Sequence, residues 1–184
     1  MSGLVLLSGY YHPTLRADAL LSGASALPVI SDVIRYTASP IVGAMMLPLH
    51  FKAMFSPLSP PGRFADGFAR GMPLRPWQIR AESQDGAVMV PGALAMSRRY
   101  RDLVMPVVIM AGTEDRVVNV QRQAVRLHKE IAHSILRLLP KVGHMIHYAE
   151  PELVAEAVET AYEQATAAGR DGGQAKRSIL GPHR

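Results

Sequence analysis

The sequence predicts an α/β protein with a parallel sheet. Three short apolar runs, at residues 4–8, 105–112 and 133–140, lack the alternation of polar and apolar residues that marks a half-exposed strand. Such runs are typical of strands buried on both faces of a parallel sheet. The second and third runs are each followed by an amphipathic helical pattern. With 48% hydrophobic residues in 184, we expect one domain with a substantial core.

Composition and charge exclude several function classes. The absence of cysteine rules out disulfides, thiol catalysis and Cys-ligated zinc. The net charge of +5 comes from scattered basic residues, with local runs only at 98–101 and 176–177. This is not the basic stripe with interleaved aromatics of a nucleic-acid binder, so we expect no nucleic-acid partner.

No signal peptide or membrane span is visible in the sequence. The most apolar later stretch, 39–51, is interrupted by Pro48 and is shorter than the roughly 20 residues needed to cross a bilayer. We therefore expect a soluble, cytoplasmic protein.

The first element is a strand at 4–8, closed by Gly9 and Pro13. We assign residues 1–13 to the core of the fold. A strand buried on both faces needs neighbours on both edges, and little sequence precedes this one. We therefore expect an open sheet edge here, which could support self-association.

Residues 14–103 form a different kind of segment, expected to be a helical insertion. Helical apolar patches are interrupted repeatedly by proline, which predicts short helices joined by proline turns. The prolines are at positions 28, 40, 48, 57, 60, 61, 73, 76 and 91. Large apolar residues here could line a substrate pocket or simply pack inside the insertion; they are Met45, Met46, Phe51, Met54, Phe55 and Trp77.

Residues 104–168 return to strand and helix. The strand at 105–112 ends at Gly112 and precedes a helix over 119–131, and the strand at 133–140 precedes a final helix that ends at Gly169. The expected apolar face of the first helix is Val120, Ala124, Leu127 and Ile131, and that of the second is Val154, Ala157, Val158 and Ala161. Residues 169–184 are expected to be a disordered tail.

Two polar residues follow neighbouring strands where each strand ends. Asp115 lies just past the second strand and His144 just past the third. Ligands collect at the carboxyl ends of parallel strands, and consecutive strands are usually adjacent. A carboxylate that accepts the N–H of an imidazole fixes its tautomer, so the other ring nitrogen can act as a general base. We therefore expect Asp115 to orient His144 as a catalytic base.

Other assignments of these polar residues are weaker. Glu114 is a rival acid, but adjacent side chains point apart. His147 is expected to be structural or pocket-lining. A metal site formed by His144, His147 and Asp115 would have its histidines three residues apart on a turn, whereas helical zinc sites favour a spacing of four. We expect neither a metal nor an organic cofactor.

The segments "PVVIMAGTEDRVV" (106–118) and "LPKVGHMIHYAEPELVAEAV" (139–158) resemble the C-terminal portion of an α/β-hydrolase. The resemblance implies that Asp115 is the acid and His144 the base of a catalytic triad, in the family's acid-before-histidine order. It also implies that residues 14–103 are the helical lid and that "GLVLLSGYY" (3–11) is the strand before it. It extends to about residue 168.

The family's nucleophile motif, G-x-S-x-G, does not occur in the chain. The closest text, "GASAL" around Ser25, lacks the second glycine, and "LLSGY" around Ser8 is not such a turn either. We therefore expect the nucleophile to lie outside the chain and the chain to be a truncated product, inactive alone. The resemblance implies that the complete protein hydrolyses an ester-like bond in a small apolar substrate, with either Ser or Asp as nucleophile. The alternative is a non-catalytic remnant or pseudoenzyme that associates through the open edge near Leu4–Leu7.

Overall fold

The computed structural model describes residues 2–14, 33–34 and 36–179, with side chains as far as residue 168. Within these residues, three parallel strands form one sheet: β1 (Leu4–Leu7), β2 (Val107–Gly112) and β3 (Ile135–Leu139). Their spatial order is β1-β2-β3. Leu4 pairs with Val107, and Val108 pairs with Ile135. The parallel sheet predicted from the sequence is confirmed.

The three strands differ in burial. Every residue of β2 is buried, whereas the residues of β1 are half-buried and those of β3 are half-buried or exposed. The prediction that all three strands are buried on both faces is therefore correct only for β2. The difference in burial follows from the position of each strand, because β2 is the central strand and β1 and β3 are edge strands in the described part of the sheet.

The side chains of β2 supply two apolar clusters, one on each face of the sheet. Val107, Ile109 and Ala111 lie on one face, and Val108 and Met110 on the other. The first cluster is completed by the helical segment after β2, which consists of a π-helical turn at Gln121–Val125 and the helix α4 (Arg126–Glu130). Its apolar residues occupy the predicted positions, with Ala124, Leu127 and Ile131 buried and Val120 partly buried.

Between β1 and β2 lies a helical region that comprises α1 (Ala38–Phe55), α2 (Gly62–Gly67), α3 (Pro76–Ser97) and a 3₁₀ turn at Tyr100–Asp102. Pro76 begins α3, where its missing N–H costs nothing. Contrary to the prediction, Pro48 and Pro91 lie inside α1 and α3 and do not end them. Both are on exposed helix faces, where water can satisfy the carbonyl that loses its partner.

Five aromatic rings attach the helical region to the short helix α5 (Ile146–Ala149) after β3. We call them the aromatic cluster; they are Phe51, Phe55, Phe64, Phe68 and Tyr148, in contacts with ring centroids 4.8–5.6 Å apart. Arg63 extends this contact, because its guanidinium lies 5.4 Å above the Tyr148 ring and donates to the Tyr148 carbonyl oxygen at 2.9 Å. These contacts tie the helical region to the turn that carries His144.

The last helix, α6 (Pro151–Ile179), is longer than predicted. The prediction that it ends at Gly169 is wrong, because the helix continues to Ile179. The disordered tail over 169–184 stays a prediction. Residues 180–184 lie outside the described residues.

Ala157 and Ala161 are buried as expected, but Val158 is 53% exposed because it lies at the margin of the apolar stripe. No helix in the described part of the chain is long and apolar enough to cross a membrane.

Candidate functional site

Asp115 is held in a tight turn directly after β2. Its backbone N–H donates to the Gly112 carbonyl oxygen at 3.2 Å. Its Oδ1 accepts the N–H groups of Val117 and Val118 at 2.7 and 3.0 Å. This self-capped turn is a common use of Asp, whose short side chain reaches the backbone two or three residues ahead. The Asp115 carboxylate is fully buried as a result.

His144 lies in the turn that follows β3. Lys141 enters this turn with a left-handed backbone (φ 61°), and the Val142 carbonyl oxygen accepts the N–H of Glu114 at 3.0 Å. The backbone N–H of His144 donates to the carbonyl oxygen of Met54, near the end of α1, at 3.1 Å. The histidine turn is therefore held between the Asp115 turn and the helical region.

The two side chains meet in a short hydrogen bond. His144 Nδ1 lies 2.8 Å from Asp115 Oδ2. An ionised carboxylate can only accept hydrogen bonds, so Nδ1 carries the proton and donates. The other ring nitrogen makes no hydrogen bond to any described residue, and the His144 side chain is 23% exposed. This arrangement leaves Nε2 able to accept a proton from another group.

The rival residues are not part of this arrangement. The Glu114 side chain is exposed, and it forms no hydrogen bond or ion pair with any described residue. His147 is exposed and packs its ring against Tyr148, with centroids 4.8 Å apart. Among the described residues, no three potential metal-binding side chains come together.

Of the two candidate serines, only Ser8 lies within the described residues, and it does not pair with His144. Ser25 lies outside the described residues. Ser8 follows β1, on the far side of β2 from β3, and its N–H donates to the Met110 carbonyl oxygen at 2.9 Å. The Ser8 backbone is left-handed (φ 43°), and its Oγ is buried without a hydrogen-bond partner among the described residues. The left-handed backbone of Ser8 is strained. Its hydroxyl oxygen is buried, so it is not available to a substrate.

A cavity of about 850 Å³ adjoins His144. Val117, His144 and Met145 form its wall on the sheet side, and the helical region forms the remainder. Of the large apolar residues proposed from the sequence as pocket-lining, Met46, Phe51 and Met54 line this cavity. Phe55 instead lines a smaller cavity of about 270 Å³ beside Tyr148. Met45 and Trp77 are 76% and 63% exposed and line neither.

Sequence reasoning missed two groups of cavity residues. Val117 is part of the Asp115 turn. The sequence feature that could have identified it as a cavity residue is a branched side chain two residues after the acid. His50 and Glu82, on α1 and α3, are polar residues of the cavity wall that no sequence motif marks.

The groups with shifted pKa values lie away from the Asp115–His144 pair, in the turn after β1 and its surroundings. Burial raises the pKa of Tyr11 to about 12 and also raises that of Tyr100. Burial lowers the pKa of His12, partly offset by the nearby Glu130 carboxylate. Gln123 fixes this turn, because its Oε1 accepts the N–H groups of Tyr11 and His12 at 2.7 and 2.8 Å.

Similar folds occur among solved structures. A haloalkane dehalogenase from Bradyrhizobium elkani is 15% identical, with a TM-score of 0.60 over 91% of this chain and 60% of that one. An α/β hydrolase fold protein from Burkholderia ambifaria is 22% identical, with a TM-score of 0.52 over 84% and 54%. An esterase from Exiguobacterium antarcticum is 19% identical, with a TM-score of 0.50 over 88% and 57%. This chain therefore spans 54–60% of the length of these relatives.

No curated protein sequence matches the chain. A family model described as "Alpha/beta hydrolase family" matches residues 1–157. The match includes all three strands, the Asp115 turn, the His144 turn and the first part of α6. On this match, supported by the shared fold, the chain belongs to the α/β hydrolase family.

Proposed function

We propose that Asp115 and His144 are the acid and the base of a catalytic triad in a hydrolase that cleaves an ester-like bond of a small apolar substrate. The observation that carries this proposal is the 2.8 Å hydrogen bond from His144 Nδ1 to a fully buried Asp115 carboxylate. That bond leaves Nε2 of His144 as the proton acceptor, in a side chain that lines the large apolar cavity.

In the proposed mechanism, written for a serine nucleophile, the serine hydroxyl attacks the substrate carbonyl while His144 Nε2 removes its proton. The imidazolium returns this proton to the leaving alcohol as the acyl–oxygen bond breaks. His144 then takes a proton from water as the water attacks the acyl intermediate, and it returns this proton to the nucleophile as the acid is released. Asp115 stabilises the imidazolium at each stage without accepting its proton.

We propose that the nucleophile lies outside these 184 residues and that the chain is inactive alone. Support comes from the absence of a G-x-S-x-G motif and from the coverage of only 54–60% of the solved relatives. Those relatives include an esterase and a haloalkane dehalogenase, so the choice between a Ser and an Asp nucleophile stays open. The helical region, which covers the cavity, is proposed to act as the substrate lid.

The first experiment is to sequence the source DNA upstream of the Met1 codon and express any longer in-frame product. We expect that product to contain the nucleophile turn and to hydrolyse p-nitrophenyl butyrate. His144→Ala and Asp115→Asn should each lower kcat by on the order of 10⁴-fold. His147→Ala, which changes an exposed histidine three residues away, is the matched control and should retain activity.

Two outcomes would contradict this proposal. One is a longer enzyme whose activity survives His144→Ala. The other is labelling of the folded 184-residue chain by a fluorophosphonate probe. If that label disappeared in Ser8→Ala, the nucleophile would have to be placed inside the chain.

A second candidate function is a non-catalytic role through self-association. The observation that favours it is the outer edge of β1, which pairs with no other strand in the described part of the chain. Such an edge offers backbone donors and acceptors to another strand. This candidate would be abandoned if the chain purified as a compact monomer that turned over p-nitrophenyl butyrate.

A further inference from the structure

We propose that the cavity beside His144 selects apolar molecules with an uncharged or positively charged end over molecules with a carboxylate, and that Glu82 is the residue responsible. This inference deepens the proposed function, on which its catalytic meaning rests, by naming the charge class of the substrate.

The helical walls of the cavity are apolar. On α1, Ala38, Val42 and Met46 recur at steps of four and form one stripe facing the cavity. Phe51, Met54 and, on α3, Ile79 continue this surface. An apolar group of the substrate therefore gains free energy by leaving water and entering the cavity.

The charge of the cavity differs from that of the whole chain. The chain has 20 Lys and Arg residues against 15 Asp and Glu, yet the described lining contains neither Lys nor Arg. Its only Asp or Glu is Glu82. Four described basic residues are adjacent in sequence to lining residues, and none of them is in the lining: Lys52, Arg75, Arg80 and Arg116.

Glu82 is placed so that its charge acts on the cavity. It follows Ile79 by three residues, so the two side chains share a face of α3. It forms no ion pair with any described residue. An uncompensated carboxylate repels a second carboxylate and attracts a cation, but its exposure limits the effect. We expect a preference of about two- to fivefold, as for exposed charge pairs.

The test uses three probes with the same seven-carbon alkyl chain, heptylammonium, octanamide and octanoate, with the 184-residue chain at about pH 8 and low salt, where the first is cationic and the last anionic. Binding is followed by NMR through the methyl groups of Met46, Met54 and Met145, which line the cavity. We expect heptylammonium to bind roughly two- to fivefold more tightly than octanoate, with octanamide between them. Raising the salt concentration should reduce this difference.

The variant Glu82→Gln should bring heptylammonium and octanoate to nearly equal affinity. The matched control Glu159→Gln removes an exposed carboxylate from α6, outside the cavity, and should leave the preference unchanged. Equal binding by the wild type, a preference that survives Glu82→Gln, or no shift of the three methyl signals with any probe would each overturn the inference.

This experiment is independent of hydrolysis. If the longer product proved inactive while the charge preference was observed, the proposed catalysis would fail and the selectivity of the cavity would stand. If hydrolysis required His144 but octanoate bound as well as heptylammonium, the catalysis would stand and the inference about Glu82 would fail.

Discussion

Both carboxylate oxygens of Asp115 make hydrogen bonds that hold the candidate site together. Its Oδ1 is occupied by the N–H groups of Val117 and Val118, and its Oδ2 by His144. The sequence predicted that Asp115 and His144 lie at one edge of the sheet, because strand ends and residue types are local features. The distance between their atoms could not be predicted, because it depends on how two separate turns pack. Their catalytic roles stay a prediction.

His12 is an ionisable residue in the core. Its side chain is fully buried, its ring packs edge-on against Tyr100 at 5.6 Å, and its Nε2 lies 3.7 Å from Glu130 Oε2. Neither ring nitrogen has a hydrogen-bond partner among the described residues. Desolvation lowers its pKa, the Glu130 carboxylate opposes that change, and Arg126 adds to it. The fold therefore favours the neutral imidazole.

This lowered pKa predicts how stability depends on pH. Below about pH 6.5 the unfolded chain binds a proton at residue 12 that the folded chain resists, so the free energy of unfolding falls as pH falls. The loss ends once pH is below the folded pKa. We expect His12→Gln, which cannot titrate, to lose less stability than the wild type between about pH 7.5 and 5.5, as measured by urea denaturation. The exposed His147→Gln is the control, and equal losses in wild type and His12→Gln would contradict the argument.

At the scale of elements, the packing of the histidine turn against α1 depends on Gly143. A Cβ added at Gly143 would overlap the carbonyl oxygen of Ser56, the residue after α1. We expect Gly143→Ala to lower the free energy of unfolding by about 1–3 kcal/mol, as for other overpacked sites. Urea denaturation measures this change.

The control is Gly92→Ala. Gly92 lies inside α3 with nothing within 4 Å of an added Cβ, so this change should stabilise the helix by about 0.5–1 kcal/mol. Equal changes in the free energy of unfolding for Gly143→Ala and Gly92→Ala would show that the histidine turn does not pack against α1 as closely as the structure indicates.

The elements differ in how well the sequence predicted them. The strands and the helix after β2 were found because their apolar residues follow simple periods, and Ala124, Leu127 and Ile131 are buried as expected. The helical region was predicted less well, because α1 is apolar on several faces, so the sequence does not indicate which apolar stripe is buried. Its prolines predict helix ends, yet Pro48 and Pro91 lie inside α1 and α3 on exposed faces. Local sequence does not say which face of a helix is exposed.

At the scale of the whole molecule, the central strand β2 contributes side chains to two apolar clusters. β1 forms one outer edge of the sheet in the described part of the chain. Leu4 and Leu6 contribute to one cluster, and Val5 and Leu7 to the other. The N–H groups of Leu4 and Ser8 donate to Pro106 and Met110 across the β1–β2 pair. Because alternate residues of a strand bond to opposite sides, the N–H of Val5 points away from β2. Val5 is therefore where the outer edge can be changed without breaking this ladder.

We expect Val5→Pro to weaken self-association by roughly fivefold or more, because it removes one outward hydrogen-bond donor and places a ring at the edge. Val5→Ala is the matched control, since it shortens the same side chain but keeps the N–H. Sedimentation over a range of concentrations measures both variants against the wild type. A wild type that stays monomeric would end the edge-association hypothesis. A Val5→Pro chain that associates as the wild type does would move the contact elsewhere, to a surface such as the exposed stripe Ile41, Met45 and Leu49 on α1.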